Sequence, residues 1–538
     1  MTYVKSRKHA QPRTYSRLSA AVAGALLLPA AGAHAQTQNT TGQLPSVSVT
    51  ATQESDFKAD KASSPKYSQP LVDTPQTLTV IKKQLLDQQG ATTLTDALRN
   101  SPGVGTFFLG ENGSTSTGDA IYMRGFDASS AIYVDNVRDL GAISRDTFNI
   151  EQVEVLKGPA GADNGRGSPT GSINMVTKQP ELHDAFNASV TYGGWSQKRV
   201  TADWNKMLDA ERGAALRLNL MTQDSGVPGR HVVNNKRSGI APSLAFGLNS
   251  PTRIFLNYLH IDQDNVPDGG ASTVGLPGYS SPDPARPYIS GAPRVDSSNF
   301  YGSVNDFNKV SVDMLTVRVE HDFSPDLKLQ NTARYAKTSQ DYLLTSYMAR
   351  ATGLSTPSPT DLSTWTVTRN LPTRRDQTNE IATNQTNLTA VLATGTIKHT
   401  LVGGVELTQE KQHAASFTTV GMLPNANLYN PNPNFAAPGF SINRTGYNDG
   451  KTDTVSAYLF DTLKFNEQWS INAGIREDHY RTTYAGNTPG NTTNLSTSGN
   501  LFNWKLAGIY KPTSFSSLYA LYATSQQPPG SANFALST

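Results

Sequence analysis

The chain of 538 residues contains no cysteine, which removes disulfide staples, thiolate metal sites and cysteine nucleophiles at once. After Gln36 it also lacks any apolar run of the length, roughly 18–20 residues, that a membrane-crossing helix needs. The strings that mark common enzyme chemistry are missing too. There is no Gly-x-Ser-x-Gly elbow and no His-Glu-x-x-His zinc helix, and the glycine-rich stretch GPAGADNGRG does not end in the Gly-Lys-Ser/Thr of a phosphate loop. Nine histidines are scattered without a cluster. These absences point away from an enzyme and from a cofactor or metal ligated by the protein itself.

Excess charge is also lacking once the first 35 residues are set aside. Lys5, Arg7, Lys8, Arg13 and Arg17 precede an apolar stretch from Leu18 to Ala31 and a small-residue end at Ala33–Ala35, the three-part order of a cleaved secretory signal peptide. Its loss takes five of 46 basic residues, leaving 41 against 43 acidic ones, a net charge near −2. No basic stripe remains, so nucleic acid is excluded as a partner.

Short alternating segments recur through the second half. Leu216, Leu218 and Leu220 alternate with Arg217 and Asn219. Leu315, Val317, Val319 and Phe323 alternate with Thr316, Arg318, Glu320 and Asp322. Val455, Ala457, Leu459, Leu463 and Phe465 alternate with Thr454, Ser456, Thr462 and Lys464, and Ile471, Ala473 and Ile475 with Asn472 and Arg476. One greasy and one polar face is the mark of a transmembrane antiparallel β-barrel with a wet lumen, although a water-soluble β-protein shows the same period. Tyr258, Phe323, Tyr335, Tyr458 and Trp469 suit interfacial girdles. About 13 strands are counted over 181–538, joined by short turns on one side and long loops on the other, at about 265–310, 345–377 and 414–451. Single-chain bacterial barrels have an even number, so the expectation is a barrel incomplete at its C-terminus.

The segment Phe148–Pro180, FNIEQVEVLKGPAGADNGRGSPTGSINMVTKQP, joins two strand-like runs through a glycine-dense bend. Such glycines let backbone pass close to backbone. VEVLKGPAGADNGRGSPTGSINMVTKQP and YMRGFDASSAIYVDNVRD resemble the plug of TonB-dependent outer-membrane receptors. The resemblance implies a mixed α/β plug over 66–180, preceded by a periplasmic tail over 36–65. Within the plug, Thr77–Ile81 reads as extended, Lys82–Gln88 as a helix, and Thr93 with Asp96 as the capped start of a second helix stopped before Pro102. Strands are expected at Ala120–Arg124, Ala131–Val134, Ile150–Leu156 and Ser172–Thr177. In the tail, the strip Leu44, Pro45, Ser46, Val47, Ser48, Val49, Thr50 and Ala51 alternates apolar with small polar residues. It could add as a strand to a partner's sheet edge, and it is similar to the TonB box of the family.

Within the family the likeness is closest to the catecholate siderophore receptors of the Fiu type, extending through NYLHIDQDNVPDGG, VGLPGYSSP, NFYGS, TNQTNLT and SQQPPGSANFAL. It implies uptake of ferric dihydroxybenzoyl complexes across the outer membrane of a Gram-negative cell, energised through TonB, with iron as chelated cargo. An iron–catecholate is an anion with flat rings, so guanidinium donors and aromatic faces fit it. Phe108, Glu111 and Arg145 are the preferred ligand contacts, with Arg138 a further candidate. Glu111 is placed by the resemblance and not by charge. Arg138 and Arg124 also suit pairing with barrel carboxylates. Tyr279, Tyr288, Phe300, Tyr301 and Trp365 offer loop stacking surfaces or ordinary packing. A passive porin or adhesin, or a non-functional truncated receptor copy, is the alternative reading.

Overall fold

The computed structural model describes residues 56–107, 118–165, 169–348, 352–370, 372–530 and 534–536. The leader, the strip Leu44–Ala51, Phe108 and Glu111 lie outside them. Among the described residues no helix is long and apolar enough to cross a membrane.

Thirteen antiparallel strands form one continuous sheet, running in order from Ser516–Ala523 back to Ala185–Gly193. Each pairs with its chain neighbours in register, so the period of two carries the side-chain sorting. Val455 is 55% exposed on the outer face, whereas Ser456 beside it is 2% exposed on the inner one. Leu220, Leu315, Leu459 and Ile475 likewise face outward, and Asn219, Thr316 and Arg476 face inward. Tyr258, Leu315 and Tyr335 are direct cross-strand neighbours on the outer face, and Phe323 and Trp469 are exposed near the short-turn end. Tyr458 departs from the girdle expectation. It shares parity with Thr454 and Ser456, so it points inward and is buried, with the Lys66 ammonium 4.4 Å from its ring centre.

The connections alternate as expected between short turns and long loops, but the third loop is shorter than the sequence suggested. Strands Ile397–Val420 and Ser441–Lys464 stay paired up to Val420 and Ser441, leaving 421–440 as the connection. At 24 residues each, they far exceed the roughly 9–11 needed to span a bilayer. Pairing continues because a backbone ladder satisfies its own N–H and C=O groups above the membrane as well as within it.

The plug is built on a five-stranded sheet in the order Thr77–Lys82, Ile150–Lys157, Gly171–Thr177, Ile132–Val134, Val137–Arg138. The first helix covers Lys83–Gln89 and stops at Gly90 with φ 63°. The second covers Leu94–Leu98, where the Thr93 side chain accepts from Asp96 N at 3.1 Å and the Asp96 carboxylate reaches Thr92 N. Val153, Val155 and Ile173 pack with Leu94, Leu98, Ile121 and Ile132 into the plug core. The glycine bend contains a short helix, Gly161–Asn164, that alternation alone does not reveal. Two glycines there have a visible reason. Gly171 has φ 137° and a Cβ would fall 2.0 Å from Leu156 O, while at Gly165, φ 72°, a Cβ would meet the inward guanidinium of Arg476 at 2.6 Å.

The long connections pack on one another. Val274, Ile289, Tyr301, Leu354, Trp365, Val367 and Leu428, from three separate loops, share one buried cluster. Arg369 ties it, donating to the carbonyls of Tyr301, Pro424 and Asn432 at 2.6–2.9 Å beneath the Phe435 ring. Phe300, Tyr301 and Trp365 are thus buried packing residues, with Tyr279 and Tyr288 half-buried around them.

Candidate ligand vestibule between plug and wall

Charged side chains fasten the plug to the inner wall. Arg138 Nη1 meets Glu410 at 2.8 Å, Arg334 donates to Val134 O and Asp135, Lys178 pairs with Asp203 at 3.0 Å, and Lys505 Nζ reaches Asp163 at 2.5 Å. All are buried or nearly so. Burial, reinforced by the Arg476 charge and opposed by Glu406 and Asp163, brings the Lys66 ammonium down to about 8. Arg138 therefore sits where a barrel carboxylate holds it. Arg124 instead occupies an exposed turn, φ 51°, with its N–H on Gly103 O, and among the described residues it pairs with no carboxylate.

Arg145 is inside the plug. Its Nε donates to Asp139 at 2.5 Å, Nη1 to Asp119 at 3.3 Å and Nη2 to Gly141 O at 3.1 Å. Burial alone would lower this guanidinium, but Asp139 and Asp119 raise it, while burial lifts the Asp119 carboxyl against the pull of Arg145. Arg145 fixes the apex loop 139–146 from within; Ser144 beside it faces open space.

That space is a cavity of about 1050 Å³ at the long-loop end, between the helices of the plug and the inner face of the wall. The plug contributes Thr93, Asp96, Arg99 and Ser144; the wall contributes Arg199, Gln223, Arg230, Arg237 and Asn265. Arg199, Gln223, Arg237 and Gln263 are successive cross-strand partners, so they form one inward polar row. Arg199 grips Asp146 of the plug with both Nη groups at 2.7 and 2.9 Å, and Arg237 reaches the same carboxylate at 3.4 Å. Arg230 binds Asp268, Gly270 O and Ser297 O, pinning the loops above. Among the described residues, the buried Nε–H groups of Arg230 and Arg237 have no acceptor.

Sequence reasoning missed Arg199, Arg230 and Arg237. Parity was available for two of them, since Val200 and Trp204 point outward and place Arg199 inward, and Ile240 does the same for Arg237. Their meeting depends on strand register, which only the paired sheet supplies. Of the residues expected to touch ligand, Arg145 and Arg138 lie apart from the cavity lining.

Residues 70–172 match the TonB-dependent Receptor Plug Domain family, and 243–537 match the TonB dependent receptor-like, beta-barrel family. The chain is 44% identical over 500 residues to the catecholate siderophore receptor Fiu of Escherichia coli K12, covering 89% of this chain and 65% of that receptor. It is 37% identical over 549 residues to the probable TonB-dependent receptor BfrD of Bordetella pertussis, covering 96% of this chain and 69% of the relative. The closed-form crystal structure of the ferric-catecholate import receptor Fiu from E. coli K12 superposes with a TM-score of 0.84, at 44% identity, over 90% of this chain and 70% of that one. The chain thus spans about two thirds of the length of the relatives it matches. With a plug lodged inside an antiparallel barrel and both parts matching, the chain belongs to the TonB-dependent receptor family.

Proposed function

We propose that this chain is an outer-membrane receptor that imports ferric siderophore complexes, of the catecholate class, with work supplied from the inner membrane through TonB. The observation that carries this reading is the row of inward guanidiniums over the plug, in a cavity large enough for a chelate of drug-like size or above. Arginine offers a fork of donors to anionic oxygens and a flat face to aromatic rings. The likeness to a protein described as a ferric-catecholate import receptor supports the same cargo. Iron enters as the chelate and needs no protein ligand.

In this reading Phe108 and Glu111 contact the ligand. Arg145 acts by holding the apex loop in shape, and Arg138 by keeping the plug registered on Glu410 until it moves. The strip Leu44–Ala51 offers a strand to the TonB partner, whose pull displaces part of the plug. Noncovalent attachment suits this, because charge pairs can break and re-form where covalent staples could not. The chain is exported by its leader and surrounded by outer-membrane lipid.

Growth of an iron-starved strain carrying this chain as its sole siderophore receptor tests the substrate class. Rescue by ferric dihydroxybenzoyl compounds and not by ferric hydroxamates is expected. Rescue by hydroxamates alone would refute the catecholate assignment.

A further inference from the structure

Arg237 is 5% exposed, yet among the described residues its one side-chain hydrogen bond is the 3.4 Å contact to Asp146, and its Nε–H has no acceptor there. A guanidinium carries five donors, and leaving them unmet in a buried place is costly. Arg199 meets the same Asp146 far better, end-on through Nη1 and Nη2 at 2.7–2.9 Å, with Gln223 Oε1 as a further acceptor at 2.7 Å. Two guanidiniums therefore share one carboxylate, and one of them is poorly served. The described lining of the surrounding cavity has five basic and two acidic side chains, and among the described residues Arg237 hydrogen-bonds to no carboxylate besides Asp146.

Asp146 also belongs to the plug's attachment. Its Oδ1 accepts from Phe148 N at 2.9 Å. The Phe148 ring packs with Met221, Ala241 and Ile261 of the wall and lies so close over Gly239 that a Cβ there would meet it at 2.9 Å. One residue before Asp146, Arg145 anchors the apex loop to Asp119 and Asp139. On the other side Thr93, the cap of the second plug helix, bridges to Asp146. Asp146 thus joins the wall arginines through its carboxylate and the cap of a plug helix through its backbone, at the end of the apex loop.

We infer that Arg199 and Arg237 form an exchange clamp: they hold Asp146 of the plug, and an anionic metal chelate entering the vestibule takes Arg237, then Arg199, from that carboxylate. The exchange loosens the wall's hold on the segment 144–148, leaving the Phe148 packing and the Gln263 bond to Ser144 O, and so reports ligand arrival to the plug. It needs no new donors, only a change of acceptor. This inference rests on the vestibule's being the ligand entry proposed above, and it adds the residues and the order of events.

The test uses the full chain in detergent micelles, titrated with the ferric complex of 2,3-dihydroxybenzoylserine while tryptophan fluorescence is followed, with amide exchange of 144–148 measured in parallel. Arg237→Gln should weaken binding on the order of tenfold or more, because a buried charge contact to the anion is lost. Asp146→Asn should tighten it about threefold or more, because the ligand no longer competes for the clamp. In the unaltered chain, ligand should speed exchange across 144–148; in Asp146→Asn, exchange should already be fast and insensitive to ligand. Affinity of Asp146→Asn at or below the unaltered value would overturn the clamp. Slowed or unchanged exchange at 144–148 on saturation of the unaltered chain would overturn it independently, without any variant that must fold. No binding of the ferric catecholate by the unaltered chain would instead refute the substrate proposed above. The same exchange measurement with ferric citrate, another anionic complex, then decides the clamp, acceleration supporting it and no acceleration refuting it.

Discussion

Replacing Asp163 by Asn perturbs the attachment of the glycine bend to the wall. Asp163 is almost fully buried on the short helix Gly161–Asn164 and pairs with Lys505 Nζ at 2.5 Å. Its second oxygen takes Gln76 Nε2 at 3.3 Å, and its backbone carbonyl accepts from Lys66 Nζ at 2.5 Å. The substitution leaves Lys505 charged and buried without its counter-ion, a loss of about 3–5 kcal/mol where one partner of a buried pair is removed. The lower end applies, since Lys505 keeps the ring of Phe460 at 4.9 Å and of Tyr67 at 5.3 Å. Plug unfolding, followed by protease cleavage within the plug against urea, should shift its midpoint down by roughly 1–3 M for a slope of 1–3 kcal/mol/M. The double variant Asp163→Asn, Lys505→Met should recover much of the loss, because no stranded charge remains. Additive losses, or no shift in the single variant, would refute the pairing argument.

Leu459→Arg puts a charge on the outward face opposite Ile475 and should cost about 2–4 kcal/mol of barrel stability, read by urea titration in lipid vesicles; an unchanged titration would contradict the lipid-facing parity. Arg369→Met strips the donor from three carbonyls, Tyr301 O in one loop and Pro424 O and Asn432 O in another, each worth about 1–3 kcal/mol when left unmet. Proteolysis within 266–306 and 421–440 should accelerate, and an unaltered cleavage pattern would refute the shared cap. Lys66 supplies a pH dependence. Its folded value of about 8 lies below the ordinary 10.5, so the cost of burying it is fully present below pH 8 and is relieved as pH rises toward 10.5. The stability advantage of Lys66→Met over the unaltered chain should shrink from pH 7.5 to pH 10, and parallel curves would sink this assignment.

Local patterns carried most of the fold. The glycine bend and its flanking strands are contiguous, so VEVLKGPAG announces the plug within one short stretch. The outward positions of Leu220, Leu315, Val455 and Ile475 follow from a period of two. Tyr458 shows where aromatic character misled: parity with Ser456 sends it inward, whatever its girdle-like chemistry. The stacked loops were less legible, because Tyr301, Trp365 and Leu428 meet across more than 100 residues and nothing local marks their contact. The same limit hid the vestibule. Arg199 and Arg237 are 38 positions apart in sequence, and only the strand register places both over Asp146. Arg145 was singled out for an outward role, yet its fork is occupied by Asp119 and Asp139, neighbours that the fold and not the spacing supplies.

The most direct test of the account is uptake of iron-labelled catecholate complex by cells carrying this chain with Leu44–Ala51 deleted. Coupled import predicts that surface binding persists while accumulation inside falls to the level of cells lacking the chain. Undiminished accumulation after the deletion would contradict it.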